Sequence, residues 1–210
     1  MRYKTIVADP PWFESGGGKI KRGADRHYPL MKLDEIAALG EPLQQYIEDD
    51  AYLFCWITNN YLCKKERGLY WQDVIEAWGF RPVTVRSWAK PDIGLGQYCR
   101  GQTEHMIFAV RGKPGYPTDP ETGKRRQLTT LIGKSILPRE GRGRGIHSRK
   151  PSIARDEIDW YCGHRGPTLE MFCRDRYVSQ LDNVWHCWGN ELESNDVDLY
   201  VPGSQLLINI

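Results

Sequence analysis

Tyr3-Lys4-Thr5-Ile6-Val7-Ala8-Asp9-Pro10-Pro11-Trp12 opens the chain, and its reading governs everything downstream. Residues 3–8, rich in β-branched side chains, read as a short buried strand. Pro10 and Pro11 each fix φ and restrict the residue before them, so the backbone leaves the strand extended and non-helical. The product is a rigid strand-end platform carrying the Asp9 carboxylate, backbone carbonyls and the Trp12 indole. Such a platform suits a flat ring bearing an exocyclic amine. The carboxylate and the Pro10 carbonyl accept the two amine protons while an aromatic face stacks on the ring. Asp-Pro-Pro also serves as a plain turn, and taken alone it does not separate the two readings.

Outward from this strand, strand and helix signals alternate. A Gly/Lys-rich loop spans Ser15 to Arg26, and helices are expected around Leu33 to Leu39 and just after Pro42. Ala51 to Ile57 is almost wholly apolar, as a strand covered on both faces would be. Leu62, Leu69, Tyr70, Val74, Ala77 and Trp78 fit helical spacing, with Gly79 as the stop. Pro82 to Trp88 and Glu104 to Val110 read as strands, and a further strand is expected near Ser135 to Leu137. Pro151 suits the first turn of a helix running to Cys162. Thr168 to Cys173 and Asn183 to Trp188 read as the last strands. This alternation predicts an α/β fold with a mostly parallel sheet. A length of 210 residues predicts one domain, with a basic segment at 111–150 inserted and an acidic tail at about 191–210.

Composition narrows the classes. Hydrophobic content of 40% and charged content of 27% are those of a soluble globular protein. The longest apolar run, Ala51 to Ile57, is a third of a membrane span, and no signal-peptide pattern precedes the first strand, so a cytoplasmic location and no membrane partner are expected. Cys55, Cys63, Cys99, Cys162, Cys173 and Cys187 lack paired C-x-x-C spacing, so reduced thiols are expected and no metal site. The net charge of +2 is unevenly spread. Between Arg111 and Lys150 eleven Lys and Arg face three acids, so the remaining chain is net acidic. A basic segment on an acidic body is the footprint of a polyanion partner, and equally of a solvated loop.

Three familiar nucleotide and hydrolase signatures fail. Gly94-Leu95-Gly96 has Cys99 where a dinucleotide fingerprint needs its third glycine, and no strand-turn-helix surrounds it. Gly16-Gly17-Gly18-Lys19 is followed by Ile20, which excludes a P-loop, and no Gly-x-Ser-x-Gly elbow occurs.

An ordered series remains: Asp9-Pro10-Pro11-Trp12, His27-Tyr28-Pro29, Trp56 in Phe-Cys-Trp-Ile-Thr, Trp88-Ala89-Lys90-Pro91, Gly101-Gln102-Thr103-Glu104-His105, His147-Ser148-Arg149-Lys150-Pro151, Leu169-Glu170-Met171-Phe172 and Trp188-Gly189-Asn190-Glu191. Over roughly residues 3 to 192 this series resembles the MT-A70 family of S-adenosylmethionine-dependent adenine N6-methyltransferases. The likeness is to compact bacterial and phage-type members more than to the eukaryotic messenger-RNA enzymes. It implies a Rossmann-like class I methyltransferase sheet in permuted order, with the catalytic strand N-terminal and the cofactor strand near the C-terminus.

The resemblance also implies roles. Asp9 and the Pro10 carbonyl hold the adenine N6 protons, so that the nitrogen lone pair faces the methyl donor. The gain comes from positioning and electrostatics, with Pro11 and Trp12 completing the catalytic motif. Trp12 and Tyr28 are the expected stacking walls, with Trp56 and Trp88 beside or behind them or simply in the core. Lys150, just before a helix start, is placed near the S-adenosylmethionine carboxylate, and Asp9 also meets its amine. Arg174, Asn190 and Glu191 match positions holding its ribose and adenine. Glu104 matches a substrate-side position, with a structural ion pair as its alternative. Two departures stand out. An Asp that better-known members carry upstream of the catalytic strand has no counterpart, and Asp175-Arg176-Tyr177 replace a His-Asn pair.

Arg142 and Arg144, set between glycines, are expected to track a phosphate backbone in a salt-sensitive way. Lys19, Lys21 and Arg22 in the loop after the first strand could add to this. The target base must leave its stack to reach Asp9. DNA is the expected substrate from the likeness to standalone phage-type enzymes. RNA and a catalytically inactive nucleic-acid-binding partner subunit are the alternatives, and a homodimer is an added expectation.

Overall fold

The computed structural model describes residues 1–14, 30–94, 98–137 and 149–199. Its strands are β1 (Tyr3–Ala8), β2 (Ile47–Ile57), β3 (Arg81–Ala89), β4 (Thr103–Arg111), β5 (Thr168–Met171) and β6 (Trp185–Trp188). They form one sheet in the order β3-β4-β2-β1-β5-β6. The opening strand is therefore central, flanked in parallel by β2 and β5, and β6 extends the parallel part. β4 alone runs antiparallel, to both β2 and β3, and the other five strands share one direction, so the sheet is mixed but mostly parallel, as the alternation predicts.

Helices cover both faces. α1 (Leu33–Ala38), α2 (Gly40–Leu43) and α3 (Trp71–Ala77) pack on the face that carries Ile6, Ala8, Leu53 and Cys55. α4 (Ser152–Cys162) packs on the other, against Val7, Tyr52, Phe54 and Trp56. Because side chains alternate along a strand, β1 and β2 must be apolar at nearly every position, as the sequence shows.

Local differences from the sequence reading have physical causes. β2 begins at Ile47, four residues before the apolar run. Its register jumps from Tyr3↔Ile47 to Thr5↔Tyr52, which carries Glu48, Asp49 and Asp50 out of the ladder. The apolar spacing from Leu62 does not yield one helix. Arg67 (φ 51°) and Gly68 (φ 88°) reverse the chain, and Glu66 and Leu69 exchange backbone bonds of 2.9 Å. α3 starts only at Trp71, after the Tyr70 N–H bonds the Asp73 carboxylate at 2.6 Å. Gly79 does end it, at φ 84°. No strand forms at Ser135 to Leu137. Ile132–Lys134 makes a tight 3₁₀ turn around Gly133, and the Leu137 N–H bonds the Ala89 carbonyl.

The basic segment is only partly a surface loop. Arg126 is buried, where it bonds the Trp160 carbonyl and, at 3.0 Å, Asp119. The acidic tail is anchored through residue 199. Val197 and Leu199 are buried, and the Asp196 carboxylate accepts the Cys187 N–H at 2.7 Å. Among the described residues no helix is long and apolar enough to cross a membrane.

Candidate active site

β1 and β5 are adjacent and parallel, and the sheet order runs outward from them in opposite directions, to β2 on one side and β6 on the other. Such a reversal opens a crevice beyond the carboxyl ends of the two strands, where open α/β sheets bind ligands. A cleft of about 240 Å³ lies there, with Val7, Asp9, Trp56, Lys150, Glu170 and Phe172 among its walls. The Asp9 N–H bonds the Met171 carbonyl at 3.3 Å, pinning the end of β1 to the end of β5. Phe172 holds φ at 62°, rare for a bulky non-glycine residue, and its ring meets Trp188 edge-on at 5.2 Å. Strain of this kind collects where a side chain must be aimed.

Charge is concentrated on this apolar frame. Lys150 Nζ lies 2.7 Å from Asp9 Oδ2 and 3.3 Å from Glu104 Oε2, and 5.4 Å above the Trp56 ring. Lys90 bonds the other Glu104 oxygen from the end of β3. Burial alone would raise the Glu104 carboxyl, but Lys150 and Lys90 together hold it below the ordinary glutamate value. On the opposite wall Arg155 bridges Glu170 (2.9 Å) and Asp175 (2.8 Å), and Arg149 adds a second bond to Asp175 at 2.8 Å. Burial outweighs Arg155 at Glu170, whose carboxyl is pushed up to about 7. Its Oε2 is buried with no hydrogen-bond partner among the described residues. Arg174 pairs with Glu191 at 3.3 Å where β5 gives way to the loop beyond it.

The residues singled out in sequence thus divide. Asp9, Trp56, Lys150, Arg174 and Glu191 line one cleft, and Glu104 joins it through Lys150. Asn190 is exposed beside Glu191. Pro10 and Pro11 sit at the strand end as expected. The Pro10 carbonyl accepts the Trp12 N–H at 2.8 Å, and the Pro11 carbonyl accepts that of Met31 at 2.8 Å.

Trp12 is buried rather than a stacking wall, and Trp88 takes the core position given as its alternative. Trp12 is 5% exposed; its indole N–H is spent on the Trp56 carbonyl at 2.9 Å and its ring packs on Tyr61. Trp88 has no exposed surface and donates to the Leu137 carbonyl at 2.9 Å. A large indole following two prolines gains more from burial than a solvent-facing platform would give it. Phe13, one residue on, is the exposed aromatic of that loop. Tyr28, Arg142 and Arg144 lie outside the described residues, as do Lys19, Lys21 and Arg22.

Sequence reasoning passed over Lys90, Arg155 and Asp175 as site residues. Lys90 was visible inside the Trp-Ala-Lys-Pro motif. Arg155 carried a weaker signal, a lone cation on the inward face of an otherwise apolar helical stripe. Of the cysteines, Cys173 lines the cleft. Cys55, Cys162, Cys173 and Cys187 are buried free thiols, and burial pushes the Cys162 thiol up to about 12, which leaves it inert.

A six-stranded sheet with helices on both faces, and a charged cleft at its strand-order reversal, define a Rossmann-like α/β protein with a ligand site at the carboxyl strand ends. The MT-A70 family model matches residues 3–191, and the chain belongs to that family, whose methyltransferases use S-adenosylmethionine. No curated protein matched the chain.

Proposed function

We propose that the protein transfers a methyl group from S-adenosylmethionine to N6 of adenine in DNA, through a single methyltransferase domain in the permuted order. The placement of Asp9 carries this reading. Its carboxylate closes the central strand, lines the cleft, and stands 2.7 Å from Lys150, which also reaches Glu104. Support for the permuted order lies in β1, the first strand, ending in Asp9 beside β5, the fifth.

The cleft's residues fit the cofactor's chemistry. Lys150, at the start of α4, supplies a cation for a carboxylate, and Asp9 supplies an acceptor for an ammonium group. Glu191 and Arg174 offer an acceptor and donors for hydroxyls, and Val7, Ile158 and Phe172 give apolar contact. Glu170 is a further polar residue of the cleft wall. When bound, S-adenosylmethionine supplies an electrophilic methyl on a sulfonium. The chain's own residues do the rest. Asp9 and the second lone pair of the Pro10 carbonyl hold the two amine protons, which aims the poor aromatic-amine nucleophile. The buried Trp56, under Lys150, closes the back of the site to water. Arg142 and Arg144 belong to the proposed phosphate contact.

The test is incubation with trideuteromethyl-labelled S-adenosylmethionine and matched DNA and RNA oligonucleotides, followed by nucleoside mass spectrometry. Label in N6-methyladenine from DNA is the expected result. Label solely in N4-methylcytosine overturns the base assignment, and label solely in RNA overturns the substrate. Absence of cofactor heat in calorimetry, with DNA still bound, overturns the enzyme reading.

A further inference from the structure

The charged groups beside Trp56 and Trp88 form an alternating row: Lys90, Glu104, Lys150, Asp9. Its far end is buried. Lys90 and Glu104 side chains are 5% and 16% exposed, whereas Asp9 at the cleft is 35% exposed. Lys90 Nζ sits 4.8 Å over the Trp88 ring, and its backbone N–H bonds the Gln102 carbonyl at 2.8 Å, so both stem and head are fixed. A cation is costly to bury, and its retention here calls for a task beyond packing. Lys150 is the shared member. It must satisfy Asp9 and Glu104 at once, and the balance depends on how much negative charge Glu104 retains.

We propose that Lys90 is a positioning residue for the transfer. By neutralising part of the Glu104 charge, it keeps Lys150 shared between Glu104 and Asp9, so that the Asp9 carboxylate can be released to the acceptor amine. This deepens the function proposed above and rests on it for the role of Asp9. Without Lys90, Glu104 has two outcomes. Ionised, it draws Lys150 away from Asp9 entirely. Protonated, it releases Lys150 to clamp Asp9. Either way the site is misset without any contact between Lys90 and substrate. Among the described residues, the titratable groups facing Glu104 are Lys90 just past β3, Lys150 before α4, Asp9 through Lys150 from the end of β1, and His105 beside it on β4. The hold that both lysines exert on the Glu104 carboxyl supports this arrangement.

The experiment compares wild type with Lys90→Met, Lys90→Arg, Glu104→Gln and the Lys90→Met/Glu104→Gln double variant. Two readouts are used. The first is 13C NMR titration of protein labelled at the glutamate carboxyl, with Glu104 assigned by its loss in Glu104→Gln. Lys90→Met is expected to raise the Glu104 midpoint by at least one pH unit, a tenfold change in proton affinity, and Lys90→Arg to restore it. The second is the rate of methyl transfer. kcat is expected to fall tenfold or more in Lys90→Met with the cofactor KM changed less than threefold, and the acid limb of the pH profile to move up. The double variant is expected to match Glu104→Gln alone, because the proposed effect of Lys90 on the transfer runs through that carboxylate. It also removes the uncompensated buried charge should Lys90→Met fold poorly. An unmoved Glu104 midpoint, or single-variant losses that multiply in the double variant, overturns the proposal. The NMR arm decides it even if wild type fails to methylate adenine, an outcome that would strike the function itself.

Discussion

Replacing Glu170 by Gln should reverse a pH-dependent weakness in the fold. The Glu170 carboxyl is lifted from 4.5 to about 7, first by burial, with Arg155 opposing. A shift of roughly 2.5 units corresponds to about 3 kcal/mol between the two protonation states. In the unfolded chain the group ionises near 4.5, so between that pH and about 7 the folded state holds the extra proton. Stability must therefore fall as pH rises through this window and then level off. The native cost lies above pH 7 and is absent below 4.5. Gln keeps the shape and cannot ionise, while Arg155 retains Asp175 at 2.8 Å. Thermal unfolding of both proteins from pH 4.5 to 8 is the assay. Relative to wild type, the variant should gain up to about 3 kcal/mol across the window, or roughly 6–12 °C for a chain of this size. Loss of the Arg155 bond offsets the curve without altering its slope. Parallel curves across the window would refute the assignment of that ionisation to Glu170.

Other consequences follow from packing and charge. Trp12→Ala should lower stability by about 3–5 kcal/mol, because it empties a buried indole site and orphans the Trp56 carbonyl; chemical denaturation reads it, and a change under 1 kcal/mol would return Trp12 to the surface. Gly189→Ala should lower the melting temperature and weaken S-adenosylmethionine binding in calorimetry, since a Cβ there meets the Cys173 carbonyl oxygen at 2.1 Å beside the cleft. Replacing Arg142 and Arg144 together by Ala should weaken DNA binding and reduce the salt slope by up to about two; an unchanged slope removes them from the phosphate contact.

The central strand and its acidic end were legible because Ile6, Val7 and the Pro10-Pro11 pair leave few alternatives to a buried strand with a fixed exit. Lys150 was legible because Pro151 marks the helix start that positions it. The reversed direction of β4 was not, because nothing in the 103–111 segment distinguishes antiparallel from parallel pairing. Trp12 was misjudged because an indole's hydrogen bond to a carbonyl 44 residues away leaves no local trace. The Arg155–Glu170 pair was unreadable for the same reason, since it joins α4 to β5, 15 residues apart in the chain.

The role of Asp9 is tested most directly by trideuteromethyl transfer into adenine with wild type and Asp9→Ala side by side, DNA binding being measured in parallel. The account predicts labelled N6-methyladenine from wild type and none from the variant, with DNA affinity nearly intact. Wild-type turnover by Asp9→Ala would contradict it.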